Sequence, residues 1–241
     1  MESENRPIGF FDSGIGGISV LKEAVKILPN ENYVYFGDSK MAPYGIRTVE
    51  NVKELTLNAV KFLLKKDIKA LVIACNTATS AAIIDLRKEY SKYMPVIGIE
   101  PALKPAMEIN RIGKVVIMAT TMTLSEKKFN NLMKKYDKNS MIEPLPCPGL
   151  VELIEQGIIK GKVIEDYLNP KLLPLKKQGI AAVVLGCTHY PFIKESISKI
   201  LGNDIPIIDG SKGTVQQLKR QLIKYNICLL YTSPSPRDGA T

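Results

Sequence analysis

The sequence predicts an α/β protein made of two doubly wound α/β domains related by pseudo-symmetry, with a candidate active site in the cleft between them. Three observations predict this fold. Short apolar runs alternate with helical patterns along all 241 residues. Most of these runs contain no polar residue, as in parallel strands that are buried on both faces. The segments that end at Cys75 and Cys187 also match each other in kind.

Seven apolar runs are predicted to be strands. They are Ile8–Phe11, Tyr33–Phe36, Ala70–Ala74, Val96–Ile99, Lys114–Met118, Ala181–Leu185 and Ile205–Ile208. Helical patterns separate the runs, so each strand is predicted to be followed by a helix that crosses over to the next parallel strand.

Apolar residues recur at helical spacing in two early segments. The first contains Ile18, Leu21, Val25 and Leu28, and the second contains Val52, Leu55, Ala59 and Phe62. Thr123 and Glu126 predict a capping box at the start of a third helix. A last helix is predicted from about Thr214 to Tyr225.

Breaks in this rhythm predict the domain boundaries. The segment from Pro95 to Pro105 is rich in proline and indicates a crossing between domains. We expect residues 1–97 with 209–227 to form the first domain and residues 98–208 the second. Residues 228–241, CLLYTSPSPRDGAT, lack periodicity and are interpreted as a disordered or non-native tail.

The charge of the chain is +9, from 33 basic and 24 acidic residues. The lysines are scattered along predicted helices, which is typical of a solvated surface, although a positive field can also steer an anionic substrate. This pattern does not favour nucleic-acid binding, since the sequence has no dense basic tract with interleaved aromatic residues.

Four cysteines in a chain of this length are too few for a disulfide scaffold. Met1 to Pro7 is polar and does not look like a secretory signal, and no apolar run is long enough to span a membrane. These features favour a cytoplasmic protein with free thiols.

Three polar clusters follow predicted strands, namely Asp12-Ser13-Gly14, Cys75-Asn76-Thr77 and Cys187-Thr188-His189. Ligands of open α/β sheets bind outside the carboxyl ends of the strands. Each cluster also precedes a predicted helix, whose N-terminus suits a carboxylate and should lower the pKa of a nearby thiol. We therefore expect these clusters to bind a small acid.

Two thiols at matching strand ends indicate proton transfer. Inverting a stereocentre by proton exchange needs a base on one face of the carbon and an acid on the other, and cysteine can serve as both. Cys75 and Cys187 are the candidates, whereas Cys147 has no such context and is interpreted as a buried core residue.

The remaining polar groups leave some interpretations open. His189, the only histidine, follows Cys187 by two residues, which favours an acid–base or hydrogen-bonding role. Asp12 is either a helix N-cap or a functional carboxylate. A dinucleotide fingerprint in the loop Gly14–Gly17 would require glycine where Ser19 stands, so a tight turn beside a small ligand is favoured.

A metal site formed by Cys75, Cys187 and His189 is a weaker alternative. No CxxC or HExxH spacing supports it, so no metal is expected.

Six segments together resemble the motifs of glutamate racemases, in the aspartate/glutamate racemase family. They are FDSGIGG, GDSKMAPYG, ACNTATSAA, GIEPA, CPGLVELIEQG and LGCTHYP. They occur in order from about Ile8 to Gly210, and the resemblance extends to the helix near Tyr225. Two α/β domains with the site at their interface are what the resemblance implies.

The resemblance also implies an activity and a set of residues. The activity is interconversion of L- and D-glutamate without pyridoxal phosphate or another cofactor, which supplies D-glutamate for peptidoglycan. Cys75 and Cys187 match the catalytic thiols, assisted by Asp12 and His189 respectively. The matched substrate-binding positions are Asp12, Ser13, Tyr44, Gly45, Asn76, Thr77, Thr188 and His189, with Thr120–Thr123 and Glu155 as weaker candidates.

Two other functions stay open on the sequence alone. The first is another racemase of the same superfamily, such as one for aspartate, which would share the thiols and differ in pocket size. The second is a catalytically weak protein whose basic surface engages DNA or a DNA-handling enzyme such as gyrase. A homodimer is a further expectation.

Overall fold

The computed structural model describes residues 2–136 and 141–229. It contains two four-stranded parallel sheets with the same strand order. The first sheet has the order β2-β1-β3-β4, formed by β1 (Ile8–Asp12), β2 (Tyr33–Gly37), β3 (Ala70–Ile73) and β4 (Val96–Gly98). The second has the order β6-β5-β7-β8, formed by β5 (Lys114–Ala119), β6 (Ile142–Pro146), β7 (Ile180–Leu185) and β8 (Ile207–Asp209). The predicted fold class is confirmed.

Helices follow most of the strands. They are α1 (Glu2–Asn5), α2 (Ile18–Ile27), α3 (Val49–Leu64), α4 (Asn76–Tyr90), α5 (Leu103–Met107), α6 (Thr121–Ser125), α7 (Lys127–Tyr136), α8 (Leu150–Glu155), α9 (Lys162–Gln178), α10 (Lys194–Leu201) and α11 (Ser211–Lys224). Short 3-10 helices occupy Tyr44–Ile46 and Tyr190–Ile193. Within the described ranges, no helix has the length and apolar character needed to cross a membrane.

Each sheet is covered on both faces. In the first sheet, one face packs against α3 and α4, and the other against α2 and α11. Helix α11 packs against α2 and β4, and its Val215, Leu218 and Leu222 belong to the same buried cluster as Ile8 and Phe10 of β1. The chain therefore returns to the first sheet after β8, although the domain boundaries drawn above stay a prediction.

The seven predicted strands all overlap observed strands, but β6 was missed. Its sequence, IEPLP, contains Pro144 and Pro146. Proline cannot donate to a central ladder, but it is tolerated at a sheet edge, and β6 lies at the edge of the second sheet.

The predicted capping box is wrong. The side chain of Thr120, and not that of Thr123, caps α6 by accepting a hydrogen bond from the Thr123 N–H. Glu126 lies at the C-terminal end of α6 and has extended backbone, so it cannot reach back to an N-cap.

Only the start of the predicted tail falls within the described residues. The Leu229 N–H donates to Glu31 Oε1 at 2.8 Å. Glu31 forms a fully buried ion pair with Lys69, which also donates to the Ile227 carbonyl. The prediction for residues 230–241 lies outside the described residues.

Candidate active site

The three polar clusters meet at the interface between the two sheets. Thr188 Oγ1 donates to Asp12 Oδ2 at 2.9 Å, which joins the ends of β7 and β1. Thr77 Oγ1 lies 3.2 Å from Thr120 Oγ1, which joins the start of α4 to the loop after β5. The structure therefore brings together residues that are 176 positions apart in the first contact and 43 in the second.

Asp12 is a fully buried carboxylate at the end of β1. Its Oδ1 accepts a hydrogen bond from the Gly14 N–H at 2.9 Å. Burial raises its pKa, while the charge of His189 and the hydrogen bonds from Gly14 and Thr188 oppose this rise. The residue before α2 is Gly17, so Asp12 is not a helix N-cap.

Cys75 is the N-cap of α4. Its Sγ accepts from the Ala78 N–H at 3.4 Å and lies 3.5 Å from Ser13 Oγ. Burial, followed by the charge of Asp12, raises the pKa of this thiol to about 12. The expected lowering by the helix N-terminus is therefore wrong for Cys75, because desolvation exceeds the effect of the helix and the Ser13 hydroxyl.

Cys187 belongs to a chain of polar contacts within the second half. Its Sγ lies 3.7 Å from His189 Nδ1, and His189 Nε2 lies 2.5 Å from Glu155 Oε1. Burial alone would lower the pKa of His189, but hydrogen bonding to Cys187 and Glu155 raises it to about 10. For Glu155, burial opposes ionisation, but the hydrogen bonds from His189 and Ile15 lower its pKa. These contacts favour the protonated form of His189, whose Nδ1 faces the Cys187 sulfur.

The glycine-rich loop packs directly against this chain. A Cβ on Gly16 would lie 2.5 Å from His189 Nδ1 and 2.6 Å from Thr188 Oγ1. A Cβ on Gly14 would lie 1.9 Å from Glu155 Oε1. The loop therefore needs glycine for its close approach to the second half. The sequence alone favours a tight turn beside a small ligand as the reason for these glycines.

The other predicted substrate-binding residues lie around the same interface. Asn76 and Thr77 form the first turn of α4, and the buried Asn76 Oδ1 has no hydrogen-bond partner among the residues that the structure describes. The Tyr44 hydroxyl donates to Asp38 Oδ2 at 2.8 Å. Gly45 lies against the Thr120 side chain, which a Cβ at this position would meet at 2.8 Å.

A sequence model of the Asp/Glu/hydantoin racemase family matches residues 14–218. The chain belongs to this family. A glutamate racemase from Clostridium kluyveri is 78% identical over 227 residues, which cover 94% of this chain and 88% of that protein.

Solved structures agree with this membership. A glutamate racemase isoform from Bacillus anthracis has a TM-score of 0.83 at 34% identity. The match covers 93% of this chain and 84% of that chain. The Francisella tularensis glutamate racemase, solved in complex with D-glutamate, has a TM-score of 0.81 at 35% identity. The match covers 96% of this chain and 86% of that chain. The resemblance found in the sequence is thus confirmed.

Asp38 is a polar residue of this racemase-family site that the sequence analysis missed. It follows β2 directly, just as the polar clusters follow β1, β3 and β7, so its place after a strand was the available signal. Its carboxylate holds Tyr44, whose ring packs against Phe11 with centroids 6.1 Å apart. Among the described residues of this family member, no group of three or more His, Cys, Asp or Glu side chains is placed to hold a metal ion.

Proposed function

We propose that this chain is a glutamate racemase that exchanges the Cα proton between Cys75 and Cys187 without a cofactor. The observation that carries the proposal is the position of the two thiols. They follow the equivalent strands β3 and β7 of the two sheets, and the Asp12-Ser13-Gly14 cluster contacts both sides. Ser13 Oγ lies 3.5 Å from Cys75 Sγ, and Asp12 accepts a hydrogen bond from Thr188, the residue after Cys187. The high identity to glutamate racemases supports glutamate as the substrate.

In the proposed mechanism, one cysteine acts as a thiolate and removes the Cα proton. The other acts as a thiol and protonates the opposite face, and the roles swap in the reverse direction. His189 stabilises the thiolate at Cys187, and Asp12 assists at Cys75. The Cα–H is a far weaker acid than a thiol, so fixed donors in a water-poor site must stabilise the carbanion that develops.

The substrate carboxylates are proposed to bind to N–H groups and hydroxyls at the interface. The start of α4 supplies Asn76 and Thr77, and a helix N-terminus favours negative charge. Ser13 and Thr188 supply hydroxyls. Because the Tyr44 hydroxyl is already held by Asp38, we expect Tyr44 and Gly45 to contribute backbone N–H groups instead.

Substrate entry requires the two halves to separate. Cys75 and Cys187 are only 5% and 8% exposed. Among the described residues, the halves are joined by the packing of α6 against α4 and by hydrogen bonds, among them Thr188 to Asp12 and the Ile15 N–H to Glu155. We propose that these bonds break when glutamate enters and re-form when the site closes around it.

The first test replaces each thiol. Cys75→Ser and Cys187→Ser should each reduce racemisation of L-glutamate by more than about a thousandfold, because a serine hydroxyl is a far weaker acid than a thiol. Chiral detection of D-glutamate, with no added cofactor, measures this. Cys147→Ser is the matched control, since it is a buried cysteine of the second half that the mechanism does not use. Wild-type turnover in either thiol variant would refute the two-base scheme.

A substrate panel separates the remaining candidates. Turnover of aspartate in preference to glutamate would replace the proposed substrate, and salt-dependent DNA binding without racemisation would favour the binding protein. The biological setting proposed here is the cytoplasm, where the product D-glutamate would enter peptidoglycan. Homodimer formation is proposed as well, and analytical ultracentrifugation tests it.

A further inference from the structure

A single peptide group links the first sheet to the polar chain of the second half. The Tyr35 hydroxyl on β2 donates to the Gly14 carbonyl at 2.6 Å. The N–H of the same peptide unit, which belongs to Ile15, donates to Glu155 Oε1 at 2.9 Å. Because a peptide unit is planar, holding its carbonyl also fixes the direction of its N–H.

We propose that Tyr35 is a positioning residue that orients Glu155 and His189 toward Cys187 through the Gly14–Ile15 peptide. This inference rests on the proposed racemase function for its kinetic consequences. The series of contacts runs from Tyr35 through the peptide to Glu155 Oε1, then from His189 Nε2 across the ring to Nδ1 and the Cys187 sulfur.

Strand β2 lies against this peptide on the side of its carbonyl oxygen. A Cβ on Gly37 would lie 2.4 Å from the Gly14 carbonyl oxygen, so β2 closely approaches that oxygen. A Cβ on Gly17 would lie 3.0 Å from the Tyr35 hydroxyl. Without the hydroxyl, the carbonyl would lose its partner in a partly buried place, and the peptide would turn to find another.

The Gly14–Ile15 peptide contacts the Cys187 side through Glu155, and reaches the Cys75 side only through the preceding Ser13–Gly14 peptide and the Ser13 hydroxyl. Asp12 is held by the Gly14 N–H and by Thr188, and Cys75 by the start of α4. Loss of the Tyr35 hydroxyl should therefore weaken the Cys187 side of the site more than the Cys75 side.

Strand β2 offers a matched control. The Tyr33 hydroxyl donates to the Leu28 carbonyl at 2.6 Å and to the Ala24 carbonyl at 3.1 Å. Tyr33→Phe thus removes a hydroxyl from the same strand that also bonds to backbone carbonyl groups, but at the C-terminal end of α2 and not in the contacts around Cys75 and Cys187. Tyr35→Phe and Tyr33→Phe should lose similar stability, as measured by urea unfolding.

The kinetic test uses isotope effects. L- and D-glutamate are equally stable in solution, so kcat/KM must be equal in both directions and cannot reveal a one-sided lesion. Tyr35→Phe should lower kcat/KM about three- to tenfold, the effect of one neutral hydrogen bond. The deuterium isotope effect should rise for the Cα-deuterated enantiomer that Cys187 deprotonates and fall for its mirror image. Tyr33→Phe should leave both isotope effects unchanged.

A second readout does not depend on the reaction. His189 is the only histidine, so its imidazole NMR signals report one site. In Tyr35→Phe the less firmly held Glu155 carboxylate stabilises the imidazolium less, so the pKa of His189 should fall below that of the wild type and of Tyr33→Phe. In a Glu155→Gln background, Tyr35→Phe should cause almost no further loss of rate.

Three results would overturn the inference. They are an unchanged His189 pKa in Tyr35→Phe, isotope effects that change equally for both enantiomers, and a full additional rate loss in the Glu155→Gln background. A wild-type protein that does not racemise glutamate would refute the proposed function instead, and the pKa comparison would still decide the role of Tyr35.

Discussion

At the scale of single residues, burial and hydrogen bonds made in the folded protein, rather than position after a strand, set the acidity of the site. Cys75 follows a strand and caps a helix, a pattern that predicts a lowered thiol pKa. Its pKa is instead raised to about 12, primarily by desolvation. Desolvation depends on which side chains cover the sulfur, and those come from both halves of the fold. The residue types of the site could be predicted from the sequence, but this direction could not.

Glu155 illustrates the same limit. The sequence indicated it only through family resemblance, because it lies in α8 and not at the end of a strand. The structure places it beside His189 and the Ile15 N–H. Contacts between the two halves are the physical information that a single sequence lacks.

Gly16 provides a prediction at this scale. Gly16→Ala places a methyl group closer than van der Waals contact to the buried side chains of His189 and Thr188, which must then shift. We expect kcat/KM to fall about a hundredfold, the order of magnitude for a displacement of about 1 Å in a catalytic group.

Gly213→Ala is the control for this substitution. Gly213 lies in α11, and a Cβ there would meet no atom within 4 Å. Alanine should stabilise the helix by up to about 1 kcal/mol and leave racemisation unchanged. Equal activity of the Gly16→Ala and Gly213→Ala variants would contradict the close approach of the loop to the second half.

At the scale of elements, the strands were the most predictable part of the fold. Their continuous apolar runs reflect burial on both faces, which a local sequence shows directly. Strand β6 lacked this signal because it is an edge strand with two prolines. No bounds were predicted for the short helices α5 and α8, since five or six residues are too few to show a helical period.

Two substitutions in helix α11 test how the chain returns to the first sheet. Leu218 is fully buried against that sheet, whereas Ile223 of the same helix is 48% exposed. Leu218→Ala should lower the free energy of unfolding by about 2–5 kcal/mol. Ile223→Ala should change it by less than about 1 kcal/mol. Urea unfolding measures both, and similar losses in the two variants would mean that α11 does not pack on the first sheet as described.

At the scale of the whole molecule, the two sheets repeat one arrangement. In each sheet, the third strand along the chain lies beside the first, and a cysteine follows that third strand. Cys75 follows β3, which lies beside β1, and Cys187 follows β7, which lies beside β5. Two similar halves that face each other can present one thiol to each side of a planar carbanion. The repeat thus accounts for a symmetric reaction, in which substrate and product are mirror images at Cα.

The central claim is that two thiols act on opposite faces of one carbon, and deuterium incorporation from solvent tests it most directly. L-Glutamate is incubated with the wild-type protein in deuterated water, and both enantiomers are recovered at low conversion. The account predicts D-glutamate that carries deuterium at Cα and recovered L-glutamate that carries almost none, because separate groups remove and deliver the proton. D-Glutamate that retains the substrate proton, which one group carried from face to face, would contradict it.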